Sequence, residues 1–556
     1  MKRVAFAALS LAYFAVPATA QLPDTEWSLH GRDSGEQRYS ELAQITTDNV
    51  STLESAWSYP IPKMGARLEA TPIVVDGRMF ASGPRSTVFA LDARTGEELW
   101  FWDPGIVDEE FGGPSRCCGD VNRGVAAYGG NIIVGLLDGR LVALDQETGR
   151  IDWSVQTTPP GTDYSITGAP RIFRGKVIIG NGGAEYGVRG YVTAYDATSG
   201  EELWRTYTVP GDPDLGFESD AMAAAAETWS GQWWIAGGGG TVWDAIVYDD
   251  ELNLVYIGTG NGAPWNRDHR SPDGGDNLYL SSIVALDGDT GFIRWYYQTT
   301  PGDDWDYTAT QPLMLLDLEI DGGMRKTIVQ APKNGFFYVV DRESGEFISA
   351  EAFSDDITWA SHIDPDTGRP VENPEARYGQ TGRPAWLSPG PTGAHTWPPM
   401  AWSDQTRLVY LPAKNTTFYF EMEAQFEYEG GRWNTGTLFR SPNRPPRPEL
   451  NGPPTMLVAW DPEEQREVWR SVGRGENGGA LATAGGLVFW GSGSQLVAFD
   501  AQSGAEVWSA EVGRGTASPV TYSIDGVQYV SIAGGRSVSS TAPDPPTLHT
   551  FKLPSR

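Results

Sequence analysis

The chain has 556 residues, of which 22 are Trp, 22 Tyr, 67 Gly and 39 Pro. This composition excludes a disordered chain or a helical bundle and favours a large all-β fold built from short strands. With 72 Asp and Glu against 41 Lys and Arg, the formal net charge is −31. Such a charge argues against nucleic acid and anionic lipid as partners, and favours either solubility alone or the docking of a basic partner.

The first residues have the pattern of a secretory signal peptide. Lys2 and Arg3 precede an apolar run over residues 4–16, and Ala18-Thr19-Ala20 supplies small residues for cleavage. We predict that residues 1–20 are removed and that the mature chain is exported to the periplasm. An uncleaved anchor is the alternative, but the apolar run is too short to span a bilayer, and we expect no transmembrane segment.

The next unusual feature is a pair of neighbouring cysteines, Cys117 and Cys118, which are the 2 cysteines of the chain. Adjacent Cα atoms lie about 3.8 Å apart, whereas ordinary disulfides prefer roughly 4.4–6.8 Å. A bond between them would close a small strained ring with almost no loop to stabilise, which suggests a rigid platform beside a ligand. The alternative is two reduced, buried cysteines.

One pattern recurs along most of the chain: a small or apolar residue, an apolar residue, Asp, several residues, Gly and then Trp. The complete copies are Ala90-Leu91-Asp92…Gly96…Trp100, Ala143-Leu144-Asp145…Gly149…Trp153, Ala194-Tyr195-Asp196…Gly200…Trp204, Ala285-Leu286-Asp287…Gly291…Trp295 and Ala498-Phe499-Asp500…Gly504…Trp508. Degenerate copies are Val339-Val340-Asp341…Gly345, without the Trp, and Ala459-Trp460-Asp461…Trp469, without the Gly. Repeats of about 40–55 residues that are rich in strand and turn signals indicate a β-propeller.

Each copy predicts a strand, a turn made by Asp and Gly, and a second strand. We expect the Trp to pack between adjacent blades. Seven copies and a silent blade near Met400–Pro412 predict about eight blades, and the ring would be closed by Trp27–Tyr39 and Ser55–Tyr59 with Val520–Ala533. The prediction is one all-β domain over residues 21–556: an eight-bladed propeller with tryptophan docking motifs between its blades.

With these repeats and the Cys pair, the chain resembles the quinoprotein alcohol dehydrogenases, eight-bladed periplasmic enzymes that use pyrroloquinoline quinone (PQQ) and a metal ion. The resemblance is carried by Cys117–Gly124, Gly180–Tyr195, Gly237–Asp244, Gly258–Trp265, Trp295–Pro312, Ala331–Asp341 and Gly393–Met400. The run Trp295–Tyr307 is most similar to the quinohaemoprotein branch, which carries a cytochrome c domain after the propeller.

The sequence departs from that branch at its end. It stops at Arg556 and contains no Cys-x-x-Cys-His motif for haem attachment. The resemblance therefore implies that electrons pass to a separate, soluble periplasmic cytochrome c, for which the acidic surface is suited. The sequence does not decide between a monomer and a homodimer.

The resemblance implies a metal site made by Glu185, Asn261 and Asp306. Carboxylate and amide oxygens are the ligands that Ca²⁺ prefers, although an isolated Asp or Asn in a Gly-rich turn more often caps that turn. Members that use lanthanides have a further Asp where this chain has Thr308. Its absence favours Ca²⁺.

The resemblance also implies the roles of the cofactor-binding residues. Asp306 is the expected general base, and Lys333 the cation that bonds the quinone oxygens. Trp243 would stack on one PQQ face and the Cys117–Cys118 disulfide on the other, while Arg123 would pair with a PQQ carboxylate. Further positions that match cofactor contacts are Glu69, Thr167, Gly183, Ala184, Asn415 and Asn477.

Three regions carry weaker signals. Gly237–Gly240 lacks the strand and helix context of a dinucleotide site and is interpreted as close backbone packing. Glu476 stands where some relatives have Trp. Phe353–Pro454 has few repeat signals, and we expect it to form long loops over the open end of the funnel, where substrate enters.

The leading prediction is a dehydrogenase that oxidises an alcohol to an aldehyde or ketone by hydride transfer to PQQ. A quinoprotein acting on sugars, polyols or a polymeric alcohol is the first alternative. A non-catalytic propeller scaffold is the second, and it would need neither the Cys pair nor Glu185, Asn261, Asp306 and Lys333. A nicotinamide enzyme is disfavoured because no βαβ unit is predicted.

Overall fold

A computed structural model describes residues 25–62, 68–106, 119–442, 444–536 and 544–555. The predicted signal peptide, residues 1–20, and the Cys117–Cys118 pair lie outside the described residues. No helix within these ranges is long and apolar enough to cross a membrane.

The strands of the described ranges form eight large antiparallel sheets, which we number as blades 1–8 in chain order. Blade 1 comprises Ile73–Val75, Arg78–Ser82, Val88–Asp92 and Glu98–Trp102. Blade 2 comprises Ala126–Tyr128, Asn131–Gly135, Arg140–Asp145 and Ile151–Gln156. Blade 3 comprises Arg171–Phe173, Lys176–Gly180, Tyr191–Asp196 and Glu202–Tyr207. Blade 4 comprises Ile246–Asp249, Leu254–Gly258, Ser282–Asp287 and Ile293–Gln298.

The remaining blades follow the same order of strands. Blade 5 comprises Leu313–Ile320, Gly323–Gln330, Phe336–Asp341 and Phe347–Ala352. Blade 6 comprises Ala401–Ser403, Leu408–Lys414, Thr455–Asp461 and Arg466–Val472. Blade 7 comprises Asn477–Thr483, Leu487–Ser492, Gln495–Asp500 and Glu506–Glu511, with Tyr39–Ser40 added in parallel at its edge. Blade 8 comprises Val520–Ile524, Val527–Arg536 and Asp544–Lys552, and its outer strand is Glu54–Pro60 from the start of the chain.

Short elements fill the loops between these strands. Two-stranded sheets pair Gly238–Gly239 with Gly262–Ala263, Ala360–Ile363 with Pro370–Glu372, and Ala385–Leu387 with Phe418–Phe420. The α-helices are Asp220–Ala226, Arg267–Arg270 and Tyr378–Thr381. Short 3-10 helices are Val50–Thr52, Pro84–Ser86, Ala184–Tyr186, Pro213–Leu215, Trp233–Ala236 and Pro374–Ala376.

The tryptophans of the repeat pack between adjacent blades, as the sequence predicts. The Trp of one blade covers the turn glycine of the next, and a Cβ atom on that glycine would lie 2.5–2.8 Å from the indole ring. The pairs are Trp57 with Gly96, Trp100 with Gly149, Trp153 with Gly200, Trp204 with Gly291, Trp295 with Gly345 and Trp469 with Gly504. Glycine is required twice over here, since these turns also have positive φ angles, 75° at Gly96 for example.

The two degenerate copies meet at one junction. Ser349 takes the strand position of the missing Trp in blade 5, opposite Val339. Gln465 takes the position of the missing glycine in blade 6, where it keeps a positive φ of 50°. Because no indole is supplied by blade 5, a side chain at the turn of blade 6 is tolerated.

One assignment within the ring is wrong. Met400–Pro412 does not form a silent blade, because strand Leu408–Lys414 pairs with Thr455–Asp461 of the blade 6 repeat. The blade without the signature is blade 8, which the two ends of the chain close by pairing Glu54–Pro60 with Asp544–Lys552. The total of eight is confirmed.

The segment over residues 27–38 crosses the axis of the ring. Its carbonyl oxygens accept hydrogen bonds from backbone amides in the first strands of blades 1, 4, 5, 6 and 7, namely those of Val74, Tyr248, Leu315, Trp402 and Ala482. Arg38 is fully buried and donates to the carbonyls of His30, Ala480 and Pro519. The segment therefore closes the central channel.

Candidate cofactor site

A cavity of about 800 Å³ lies where the blades converge, within the ordinary size range of ligand pockets. It is lined by loops that precede the first strands of successive blades and by loops between the second and third strands of blades 3 to 6. Eleven of the predicted site residues line it: Glu69, Arg123, Thr167, Gly183, Ala184, Glu185, Trp243, Asn261, Asp306, Lys333 and Asn477. Residues far apart in sequence are thus brought to one place on the ring axis.

Two of the predicted metal ligands are in direct contact. The Asn261 amide nitrogen donates to Glu185 Oε1 at 2.9 Å, and the Trp265 indole donates to the same oxygen at 2.9 Å. Glu185 lies in the helical turn Ala184–Tyr186, which begins after Gly183 at a φ of 108°. Both side chains are buried, so their oxygens are held in fixed positions.

Gly237–Gly240 holds Asn261 from behind. The four glycines have φ angles of 72–78°, and a Cβ on Gly239 would lie 2.5 Å from the Asn261 carbonyl oxygen. The amide of Gly240 donates to that same oxygen at 2.9 Å. The run is therefore close backbone packing, as predicted, and it leads directly into Trp243.

Asp306 has a left-handed backbone, with a φ of 64°. The Asp303 carboxylate supports this turn by accepting hydrogen bonds from the amides of Trp305 and Tyr307 at 3.2 and 2.9 Å. The Asp306 side chain pairs with Lys333, whose Nζ lies 2.9 Å from Oδ2. Burial raises the pKa of Asp306 well above its usual range, Lys333 opposes this shift, and Glu185 adds to it.

The donor set fits a hard cation. Within the described ranges, no group of three or more His, Cys, Asp or Glu side chains is placed to hold a metal. Glu185, Asn261 and Asp306 instead supply two carboxylates and an amide, so a cation here would take further oxygens from a bound cofactor. It would also relieve the repulsion that Glu185 exerts on Asp306.

The wall around Trp243 fits a planar anion. The Arg123 guanidinium lies 4.7 Å from the Trp243 ring centroid, 2.7 Å from Glu69 Oε2 and 2.7 Å from Thr167 Oγ1, to which it donates. Elsewhere in the wall, Asn477 Oδ1 is buried and accepts no hydrogen bond from any described residue. Asn477 therefore leaves an unsatisfied buried acceptor beside the cavity.

Two residues singled out from the sequence lie outside this wall. Asn415 is buried behind it, where its side chain bonds Ser354, Asp355 and the Pro453 carbonyl. Its neighbour Lys414 lines the cavity instead. Thr308 is buried and bonds Gln311.

Sequence reasoning missed most of an aromatic wall formed by Trp265, Phe418, Trp433 and Phe439. The ring centroids of Trp265 and Trp433 lie 5.7 Å apart, and those of Trp433 and Phe439 lie 4.8 Å apart. Trp265 joins this aromatic wall to Glu185 through the hydrogen bond described above. Three of the four residues lie in the segment 353–454, whose sequence has no repeat to indicate which aromatic faces the cavity.

The same segment packs on Lys333. The Ala394 amide donates to the Lys333 carbonyl at 2.9 Å, and both ring nitrogens of His395 lie 2.7 Å from backbone carbonyl oxygens. Burial lowers the pKa of His395 to about 4. His395 is therefore a brace between two backbone segments behind the wall, whereas Trp397 and Pro398 line the cavity.

The family model described as "PQQ: Glucose/ethanol/alcohol dehydrogenase, beta-propeller domain" matches residues 27–350 and 454–530. The chain belongs to this family. The predicted family is thereby confirmed together with the fold.

Its relatives include the quinohemoprotein alcohol dehydrogenase ADH IIB of Pseudomonas putida, which is 49% identical over 94% of this chain and 75% of its own. The 1-butanol dehydrogenase (cytochrome c) of Thauera butanivorans is 44% identical over 99% of this chain and 81% of its own. The crystal structure of the quinohemoprotein alcohol dehydrogenase of Comamonas testosteroni superposes on this chain with a TM-score of 0.89. Its sequence is 48% identical, and the match covers 96% of this chain and 81% of that chain.

Proposed function

We propose that the protein is a periplasmic dehydrogenase that oxidises an alcohol to an aldehyde or ketone, using PQQ and Ca²⁺ bound in the central cavity. The observation that carries this proposal is the convergence of Glu185, Asn261, Asp306 and Lys333 with the Arg123–Trp243 wall. A scaffold that only bound other proteins would have no use for a buried cation site beside a cationic, aromatic wall.

The chain's own residues bind and orient the two groups. Trp243 offers an indole face for stacking, and Arg123 a guanidinium for a carboxylate. Glu185, Asn261 and Asp306 would hold the cation, and Lys333 would donate to an oxygen that gains negative charge. When bound, PQQ supplies the two-electron acceptor for the hydride, and the cation supplies Lewis acidity.

Asp306 is the group that we assign to proton removal. Its carboxylate is buried in the cavity wall, and a cation beside it would lower its pKa and keep it ionised. It would then accept the hydroxyl proton of the alcohol as the hydride leaves the carbon. Lys333, at 2.9 Å, keeps the charged oxygen in place.

The aromatic wall favours an apolar alcohol over a sugar or polyol. Trp265 bonds Glu185, and Phe418, Trp433 and Phe439 continue the ring faces from Trp265 along the same cavity. A sugar would bring several hydroxyl groups against surfaces that offer them few hydrogen bonds. Alcohols with an alkyl or aryl chain would bury that chain here.

Electrons would leave to a separate cytochrome c. The relative from Thauera butanivorans is named for cytochrome c, and the net charge of −31 is suited to a basic acceptor. The signal pattern in residues 1–20 supports a periplasmic location. Electron transfer that is insensitive to salt would count against an electrostatically guided acceptor.

The deciding experiment is dye-linked alcohol oxidation by purified apoprotein, with PQQ and Ca²⁺ omitted singly or supplied together. We expect activity only when both are present. Activity without PQQ would overturn the cofactor assignment. PQQ binding without oxidation of simple alcohols would leave the cofactor site standing and favour a sugar or polymer as substrate.

A further inference from the structure

A buried chain of charges joins the cofactor wall to the segment that closes the channel. It alternates in sign through Glu69, Arg123, Asp244, Arg171 and Glu36, all of which are less than a tenth exposed. Its first two members line the cavity, whereas Asp244, Arg171 and Glu36 do not. The chain of charges therefore continues behind the cofactor wall.

Asp244 lies between the two guanidinium groups. Its Oδ2 is 3.7 Å from Arg123 Nε, and its Oδ1 is 3.5 Å from an Arg171 nitrogen. Asp244 also follows Trp243 directly in the chain. A carboxylate in this place sets both the guanidinium that faces the cavity and the backbone that carries the stacking indole.

Arg171 is held in place by hydrogen bonds to several groups. Its Nε donates to Glu36 Oε1 at 2.7 Å and its Nη1 to the Ala169 carbonyl at 2.7 Å. Glu36 belongs to the channel-closing segment, where its Oε2 lies 2.8 Å from His30 Nδ1. Arg171 Nη2 lies 2.9 Å from His30 Nδ1 and 3.5 Å from Asp244 Oδ1. The planar fork of the arginine thus joins the channel-closing segment to Asp244, which a lysine ammonium on a flexible stem cannot do in the same geometry.

We propose that Arg171 is a positioning residue for the cofactor: through Asp244 it orients Arg123 and Trp243 for binding a planar polycarboxylate. The inference rests on the proposed PQQ function and extends it to residues that do not touch the cavity. Arg171 acts by geometry, and its positive charge alone is insufficient.

The test compares PQQ dissociation constants, measured by quenching of intrinsic fluorescence at saturating Ca²⁺, for wild type, Arg171→Lys and Arg171→Gln. We expect Arg171→Lys to weaken PQQ binding about tenfold, a typical size for a change behind a ligand-contacting residue. Alcohol KM at saturating PQQ should stay within about twofold, because the substrate wall is untouched.

Arg342→Lys is the matched control. Arg342 is also buried and forms ion pairs with Asp249 and Asp317 at 2.6 and 2.8 Å, but it does not line the cavity. We expect its PQQ affinity to equal that of wild type even if its thermal stability falls as far as that of Arg171→Lys.

Three outcomes would overturn the inference. Wild-type affinity in Arg171→Lys with loss in Arg171→Gln would show that only charge matters. Equal loss in the Arg171 and Arg342 variants would show general loosening of the fold. A wild-type protein that binds no PQQ would overturn the proposed function itself, and this inference with it.

Discussion

The polar cluster of Glu185, Asn261, Asp306 and Lys333 and the aromatic wall are neighbours built on different principles. The polar side chains are 4–8% exposed, and each is held by a second contact. Trp433 and Phe439 are 47% and 38% exposed and pack on each other and on the buried Trp265. Buried, fully paired groups are preorganised for one chemistry, whereas half-exposed rings on a long loop can vary with substrate.

The largest effect should come from the polar cluster. Asp306→Asn removes the proposed base but keeps the shape of the side chain, so kcat should fall about 10³-fold while PQQ still binds. The measurement is steady-state kinetics together with PQQ occupancy by absorbance. Asp304→Asn is the control, since Asp304 is buried nearby but does not line the cavity. A comparable fall in kcat in both variants would show that Asp306 is not the general base.

The buried charge chain behind the cofactor wall should make the stability depend on pH. Burial raises the pKa of Glu36, but Arg171 and His30 more than compensate and hold it at about 2, below its ordinary value of 4.5. A lowered pKa stabilises the fold above the unfolded value and loses that effect as pH falls through the folded value. Wild type should exceed Glu36→Gln by about 3 kcal/mol at pH 7.

This difference in the free energy of unfolding should shrink as the pH falls from about 4.5 to about 2. Denaturant unfolding at several pH values measures it. Trp433→Ala, which changes no ionisable group, is the comparison and should show a constant offset from wild type. A constant offset for Glu36→Gln as well would contradict the ion-pair explanation.

A smaller effect is expected at Trp243, which lines the same cavity beside Arg123. Trp243→Ala should weaken PQQ binding about tenfold, because stacking on an aromatic face contributes about 1–2 kcal/mol. Equilibrium dialysis against PQQ gives the affinity. Trp243→Phe keeps a ring face and should recover most of the loss; equal weakening in both variants would argue against stacking.

An effect of similar size is expected at the aromatic wall. Trp433→Ala should lower kcat/KM for 1-hexanol about tenfold relative to ethanol, since the longer chain loses its apolar partner. The measurement is the ratio of the two kcat/KM values. Trp386→Ala is the control, because Trp386 lies in the same segment but packs on Tyr419 away from the cavity. If the ratio of the two kcat/KM values is unchanged in Trp433→Ala, the aromatic wall does not select the substrate.

The repeat was strong enough to predict the propeller, the docking tryptophans and the number of blades. It failed where the same turn chemistry is absent or is used differently. Blade 8 has no signature because its strands come from the two ends of the chain. Conversely, Asp364 and Gly368 make the same kind of turn in a small hairpin that belongs to no blade. Turn chemistry is local, whereas membership of a blade depends on pairing between distant strands.

The site was predictable where a motif matched and hidden elsewhere. Eleven predicted residues line the cavity, but Asn415 turns away from it and Lys414 replaces it. Lys414 is the last residue of strand Leu408–Lys414 and Asn415 follows it, so a motif match does not by itself show which of two neighbouring side chains faces the cavity. Phe418, Trp433 and Phe439 of the aromatic wall, and Arg171 and Glu36 of the charge chain, lie in no motif.

The sequence by itself determined the periodic scaffold, because Asp, Gly and Trp at fixed spacing act through local turns and through packing on the next repeat. It also determined the residue types of the polar cluster. Only the tertiary structure decided which distant side chains meet on the axis, such as Glu185 with Asn261 and Arg171 with Glu36. Ring closure sets those meetings, and it depends on the whole chain at once.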